Sequence, residues 1–145
     1  MDTSALCCEF DDQTIEANAR DSSAVQHILG LVKLGVWELC DSGVLRDEIG
    51  DDPWKLRKTA SRKKLRLATA YARKPDAAKR ARTVAALGFE AMDAFHIASA
   101  EQLCAEWLLT RDREVLDLAK QNRIRLNVRV ATPSEFLIWL KGVLK

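Results

Sequence analysis

Ala91-Met92-Asp93-Ala94-Phe95-His96-Ile97-Ala98-Ser99-Ala100, followed by Leu108-Leu109-Thr110-Arg111-Asp112, is the stretch on which the fold turns. Its first part is a helix rich in small residues, with an acid in the opening turn and Ala98 and Ala100 shaped for close packing against a sheet. Its second part is a short apolar strand that stops at another acid. A helix running into a strand, with no hairpin turn between, is one step of a parallel α/β arrangement.

The rest of the chain repeats that step. Apolar residues at three- and four-residue spacing, Ala24, Ile28, Leu31 and Val32, predict a helix from about Ile15 to Leu34, stopped by Gly35. Val36 to Cys40 alternates as a strand does, and Asp41-Ser42 offers an N-cap for a helix over Val44 to Ile49. Gly50-Asp51-Asp52-Pro53 breaks the chain before a helix expected to reach about Arg73. Pro75-Asp76 opens the next, which ends at Gly88. After the Asp93 helix, expected over Glu90 to Ala105, come a strand at Trp107 to Thr110 and a helix at Arg113 to Gln121. A strand at Val128 to Val130 and a helix from Pro133 close the chain. Met1 to Leu6 reads as a further short strand. The expected fold is α/β, a short parallel sheet with helices on both faces, and the ligand edge of such a sheet lies beyond the strands' carboxyl ends.

At 145 residues and 48% hydrophobic content, the sequence suits one domain, residues 1–145, with one full core. No apolar run is long enough to span a bilayer and no signal-peptide pattern opens the chain, so a cytoplasmic protein with no membrane partner is expected. Cys7, Cys8, Cys40 and Cys104 form no C-x-x-C pair, and reduced thiols are the expectation. Charge is unevenly spread. Lys55 to Arg82 holds twelve Lys/Arg against a single acid, Asp76, while the remainder has eleven Lys/Arg against twenty acids. A polyanion partner for the basic stretch follows.

Several chemistries are excluded. Gly30 and Gly35 have the spacing of a phosphate-binding loop, but Val36-Trp37 stand where Lys and Ser/Thr are needed. There is no dinucleotide fingerprint and no nucleophile elbow. Two histidines, His27 and His96, are too few for a histidine-based metal centre.

Acids remain. Asp2, Glu48, Asp93 and Asp112 offer hard oxygen ligands of the kind Mg²⁺ or Mn²⁺ takes. Brought together without a cation they repel and raise one another's pKa values; a divalent ion relieves this and can activate water against a phosphodiester. Thr110 is placed to hold a water on that ion. Each acid also has a plainer role open to it: Asp112 as an N-cap, Asp93 as a first-turn charge, Glu48 as a solvated helix residue, Asp2 as part of a frayed terminus. His96 lies one turn after Asp93, with a hydrogen-bonded packing role as the default.

The order of these residues resembles the PIN domain family. The resemblance runs through Asp2-Thr3-Ser4, Ser42-x-x-Leu45-x-x-Glu48-Ile49, Asp93-Ala94-Phe95-His96-Ile97-Ala98 and Leu108-Leu109-Thr110-Arg111-Asp112. It closes on Val128-x-Val130-x-x-Pro133-x-Glu135-Phe136-Leu137. It implies a three-layer αβα sandwich on a short parallel sheet. It also implies a Mg²⁺- or Mn²⁺-dependent endoribonuclease, as in toxins of the VapC type from toxin–antitoxin pairs. The metal quartet would be Asp2, Glu48, Asp93 and Asp112, helped by Thr110 or Thr3. The implied partners are RNA, a cognate antitoxin protein and a second copy of the chain in a homodimer. Two positions depart from the pattern. Only Met1 precedes Asp2, where the family's first strand has several apolar residues, and Glu106 stands beside Trp107, where relatives often carry Asp. A catalytically inactive PIN-like module that binds RNA or protein is the alternative. A receiver-type signalling domain ranks last, for want of a strand-end Asp with a positioned Lys.

Overall fold

A computed structural model describes residues 1–144. It is a mixed α/β fold, mostly helical, with two parallel two-stranded sheets. The helices are α1 (Thr3–Leu6), α2 (Glu16–Lys33), α3 (Gly43–Asp51), α4 (Lys55–Leu65), α5 (Lys74–Ala85), α6 (Ala91–Gln102), α7 (Arg113–Gln121) and α8 (Pro133–Val143). The strands are β1 (Leu39–Ser42), β2 (Ala68–Ala72), β3 (Trp107–Leu109) and β4 (Arg129–Ala131). β1 pairs with β2, and β3 pairs with β4.

Local chemistry sets most boundaries. Gly35, at φ +72°, follows α2, and Gly88, at φ +111°, follows α5; both backbones turn left-handed where a side chain would be strained. Ser42 accepts the Leu45 N–H to cap α3, and Asp112 accepts those of Glu114 and Val115 to cap α7. Thr132 and Glu135 close a reciprocal capping box at the start of α8.

Three expectations need correction. Met1 to Leu6 is not a strand: Thr3–Leu6 is a helical turn, because the Asp2 carboxylate accepts the Ala5 N–H and nucleates it. The basic helix ends at Leu65 rather than near Arg73, and Ala68–Ala72 is a strand whose register on β1 runs from Leu39↔Ala68 to Ser42↔Ala72. Strand pairing overrides the helix propensity of its alanines. The strand expected at Val36 to Cys40 begins only at Leu39, after a turn closed by the Val36 N–H on the Leu31 carbonyl.

β3 organises the core. Leu108 packs with Ile97 of α6, Val115 of α7 and Val84 of α5. Leu109, the next residue, packs with Ile28 of α2 and with Phe136 and Leu140 of α8. Successive strand residues face opposite ways, so helices lie on both sides of this strand pair. Fully buried side chains of this size each stabilise by roughly 1.5–3 kcal/mol relative to exposure. α5 and α6 meet through Ala77, Ala81 and Ala98, small residues that let the backbones approach. The loop after β3 and the first turn of α6 are thereby held at one end of the molecule.

Candidate metal centre

Asp2 is buried and pinned from both sides. Its backbone N–H donates to the Leu109 carbonyl at 2.9 Å, which ties the start of the chain to the end of β3. Its Oδ1 accepts from Ser4 Oγ at 2.7 Å and from the Ala5 N–H at 3.0 Å. Its Oδ2 accepts from Thr110 Oγ1 at 2.5 Å. Thr110 is fully buried, and its hydroxyl also accepts the Asp112 N–H at 3.1 Å. In this structure Thr110 therefore couples Asp2 to Asp112 through one oxygen. Asp112 uses Oδ1 for both cap bonds to α7.

Asp93 and His96 stand three residues apart on α6 and so share a face. His96 is buried, and its Nε2 meets Glu48 Oε1 of α3 in a short contact. The half-buried Glu48 is thereby drawn onto the Asp93 helix. Burial pushes the Asp93 carboxyl up, Asp112 and then Asp2 and Glu90 add to the push, and His96 pulls against it; the result is about 6. Burial is the first cause of this rise, and Asp112 and Asp2 add to it because they lie close enough to Asp93 for their charges to be felt.

All four predicted acids are thus brought to one end of the fold. Glu48 and Asp112 line the same groove, of about 610 Å³, together with Thr3, Ser4 and Arg57. The carboxylates do not close into a cage: among the described residues no group of three or more His, Cys, Asp or Glu is arranged to hold a metal ion. The reason is visible in their bonds, since Asp2 is turned onto hydroxyl and amide donors, Glu48 onto His96 and Asp112 onto its helix cap.

The fit of a divalent cation rests on three features. The donors are hard oxygens, which select Mg²⁺ or Mn²⁺. No ion pair among the described residues reaches Asp93 or Asp112. The Thr3 hydroxyl, in the groove wall, is buried without a hydrogen-bond partner and is suited to a ligand water or a phosphate oxygen. Arg111, the nearest cation in sequence, lines the same groove but is engaged by other partners. Its guanidinium binds Asp11, Asn18 and Asp21, while its backbone N–H donates to Ser4 Oγ at 2.9 Å.

Ser4 and His96 matter more to the site than their spacing announced. Ser4 orders Asp2 and the Arg111 backbone; its signal was its place in the Asp2-Thr3-Ser4 triplet. His96 holds Glu48, an interaction between α6 and α3 that no local pattern carries. The Glu106 carbonyl accepts the Arg129 N–H, and among the described residues its carboxylate is in no ion pair.

Comparison of the chain with protein-family models, with curated proteins and with solved structures finds no match.

The basic stretch lies on α4, β2 and α5. Four of its cations are paired with acids: Arg57 with Asp52, Lys64 with Glu9, Lys74 with Asp47 and Arg80 with Glu101. The other eight have no acidic partner among the described residues, and Arg62, Lys63 and Arg66 are exposed. Two large aromatic side chains stand 45% exposed here, Tyr71 within the stretch and Trp54 just before it. Arg57 reaches the groove of Glu48 and Asp112, so the basic surface borders the acidic site.

Proposed function

We propose that this protein is a divalent-metal-dependent endoribonuclease of PIN-like fold. The observation that carries the proposal is the convergence of Asp2, Glu48, Asp93 and Asp112 beside a basic surface, with Asp93 raised to about 6 by burial and by its acidic neighbours. The three-layer sandwich implied by the sequence resemblance belongs to the same proposal; Leu108 and Leu109 packing against opposite helix sets supports it.

Asp2, Glu48, Asp93 and Asp112 would hold Mg²⁺ or Mn²⁺, which supplies an activated water and neutralises charge on a phosphodiester. The protein's own residues do the rest. Thr110 and Ser4 fix the Asp2 carboxylate, and Thr110 keeps Asp112 in register with it. His96 holds Glu48 over the first turn of α6. Unpaired cations of α4 and α5 neutralise backbone phosphates, which gives affinity without sequence choice. Trp54 and Tyr71, each with an arginine (Arg57 and Arg46) over its ring, leave exposed aromatic surface for unpaired bases to stack on, which favours single-stranded RNA. A toxin role with a cognate antitoxin, and a homodimer, are extensions of the proposal. Exposed Leu34, at the C-cap of α2, and Ile138 of α8, which packs against α2, supply apolar surface for such a partner. Among the described residues no helix is long and apolar enough to cross a membrane.

The test is cleavage of single-stranded RNA by the purified chain in Mn²⁺, stopped by chelator. Cleavage that persists in EDTA contradicts the proposal. A second reading, an RNA-binding module without catalysis, is favoured by the engagement of the Asp2 oxygens with protein donors. RNA binding with no cleavage in Mn²⁺ selects that reading.

A further inference from the structure

A second groove opens on the other side of α3 from the acids. It is a cavity of about 390 Å³, lined by Asp41, Arg46, Ile49, Arg62, Leu65 and Arg66, a size that suits a small ligand. Arg46 and Ile49 stand three residues apart on α3, and Arg62, Leu65 and Arg66 share a face where α4 ends. Ile49 is buried, and Leu65 packs against the cluster that holds it, so the two helices meet over apolar side chains. Arg46 and Glu48 are two residues apart, and so leave α3 on opposite sides.

Three observations point to an anion there. The lining sets three guanidinium groups against one carboxylate, which leaves about two positive charges. Arg46 is held in place before any ligand arrives. The buried Asp41 accepts its Nε hydrogen on Oδ2 at 2.6 Å and the Ser42 N–H on Oδ1 at 2.7 Å. Tyr71, the register partner of Asp41 on β2, lies against the guanidinium, whose Cζ is 4.4 Å from the ring centroid. With Nε taken, the terminal nitrogens of Arg46 remain to donate, and they have no protein acceptor among the described residues. Arg62 and Arg66 are exposed and in no ion pair among the described residues. Like charges four residues apart on a helix repel. Their place at the end of α4 accounts for cations there, but not for a third arginine, from another helix, over the same cavity.

We propose that this groove binds a phosphate monoester, the terminal phosphate of a nucleotide or of a nucleic-acid strand. A monoester carries a charge of about −1.5 to −2 at pH 7, which matches the lining, whereas a phosphodiester carries only one. Guanidinium forks take phosphate oxygens two at a time. Arg46, fixed by Asp41 and Tyr71, supplies the first fork, and Arg62 and Arg66 close on the group from α4. The phosphate bound here is not the one a metal acts on, since α3, about 10–12 Å across with its side chains, lies between the groove and Glu48. The site needs neither metal nor cleavage and stands apart from the nuclease reading.

The test is titration of the full chain with adenosine 5′-monophosphate, in EDTA and low salt at pH 7.5, followed by NMR at the arginine side-chain N–H groups. Saturable binding that inorganic phosphate displaces is expected. Arg62→Gln and Arg66→Gln are each expected to weaken it about tenfold or more, the size of one lost charge-assisted hydrogen bond. Lys63→Gln removes the same charge from a neighbouring residue of α4 outside the lining, and is expected to leave the affinity within about twofold. All three side chains are exposed, so the variants keep the fold. The 3′,5′-cyclic nucleotide, a diester of the same base and sugar, is expected to bind about tenfold more weakly. A 5′-phosphorylated oligonucleotide that binds more tightly than the mononucleotide and than its unphosphorylated twin supports a strand end as the source of the phosphate. Tighter binding of the mononucleotide supports a free nucleotide. No saturable binding up to about 10 mM, equal affinity for the cyclic diester, or an equal loss from Lys63→Gln overturns the proposal.

Discussion

In Mn²⁺ with single-stranded RNA, Asp93→Asn lowers the cleavage rate on the order of 10²-fold or more, while the far-UV circular dichroism is unchanged. Removing one charged group aimed at a cation or a transition state commonly has that size of effect. Asp93 is the sensitive position because its carboxyl is pushed up by burial first and then by Asp112, Asp2 and Glu90. The same substitution has an opposite effect on the metal-free fold. A carboxyl whose folded pKa is raised to about 6 favours the protonated form. The folded state then binds more protons than the unfolded one between the ordinary value and 6, and stability falls as pH rises through that window. The asparagine amide carries no charge to repel. In EDTA the variant is therefore more stable than the parent at pH 7.5, by on the order of 1 kcal/mol once solvent screening of a half-exposed group is allowed for. The gain disappears near pH 4. Loss of activity with gain of metal-free stability separates a site acid from a structural one. A variant that loses both has merely lost its fold, and one that keeps full activity removes Asp93 from the site.

Replacing Arg62, Lys63 and Arg66 together by Gln weakens RNA binding ten- to a hundredfold at low salt, as an order of magnitude. These side chains are exposed and carry no acidic partner among the described residues, so the fold does not depend on their charge. The slope of log affinity against log salt becomes shallower by about 2, at roughly 0.7 per lost phosphate contact on a single strand. Affinity falls alike for all sequences, since contacts of this kind position and do not read bases. The same triple change at Lys33, Lys120 and Arg123, exposed cations outside the basic stretch, is the control. Equal losses from both would mean that net charge alone governs binding. An unchanged slope would remove α4 from the RNA path.

What the sequence made legible was local. α7 was readable to the residue from the apolar Val115, Leu116 and Leu118 after Asp112, although the residues it buries fully are Val115 and Ala119. α8 was readable at its start from Pro133, whereas the capping box of Thr132 and Glu135 emerged only in the structure. Asp2 reads in the sequence as part of a strand and is not. The apolar pattern of six residues is too short to decide, and the signal that decided was an acid three residues before a free N–H. β2 was hidden inside a run of helix-favouring Ala, Leu and Lys/Arg, and only its parallel pairing with β1 makes Ala68–Ala72 a strand. The acids themselves were legible as candidates. Their meeting was not, because it depends on bonds across more than forty residues: His96 to Glu48, and Thr110 to Asp2. The division of the strands into two pairs had no local signal either.

Calorimetric titration of Mn²⁺ into the parent chain and into Asp93→Asn, at pH 7.5, tests most directly whether the four acids hold a cation. Saturable binding by the parent, weakened at least about tenfold in the variant, is the predicted result. No saturable binding up to millimolar Mn²⁺, or the same affinity in both proteins, would contradict it.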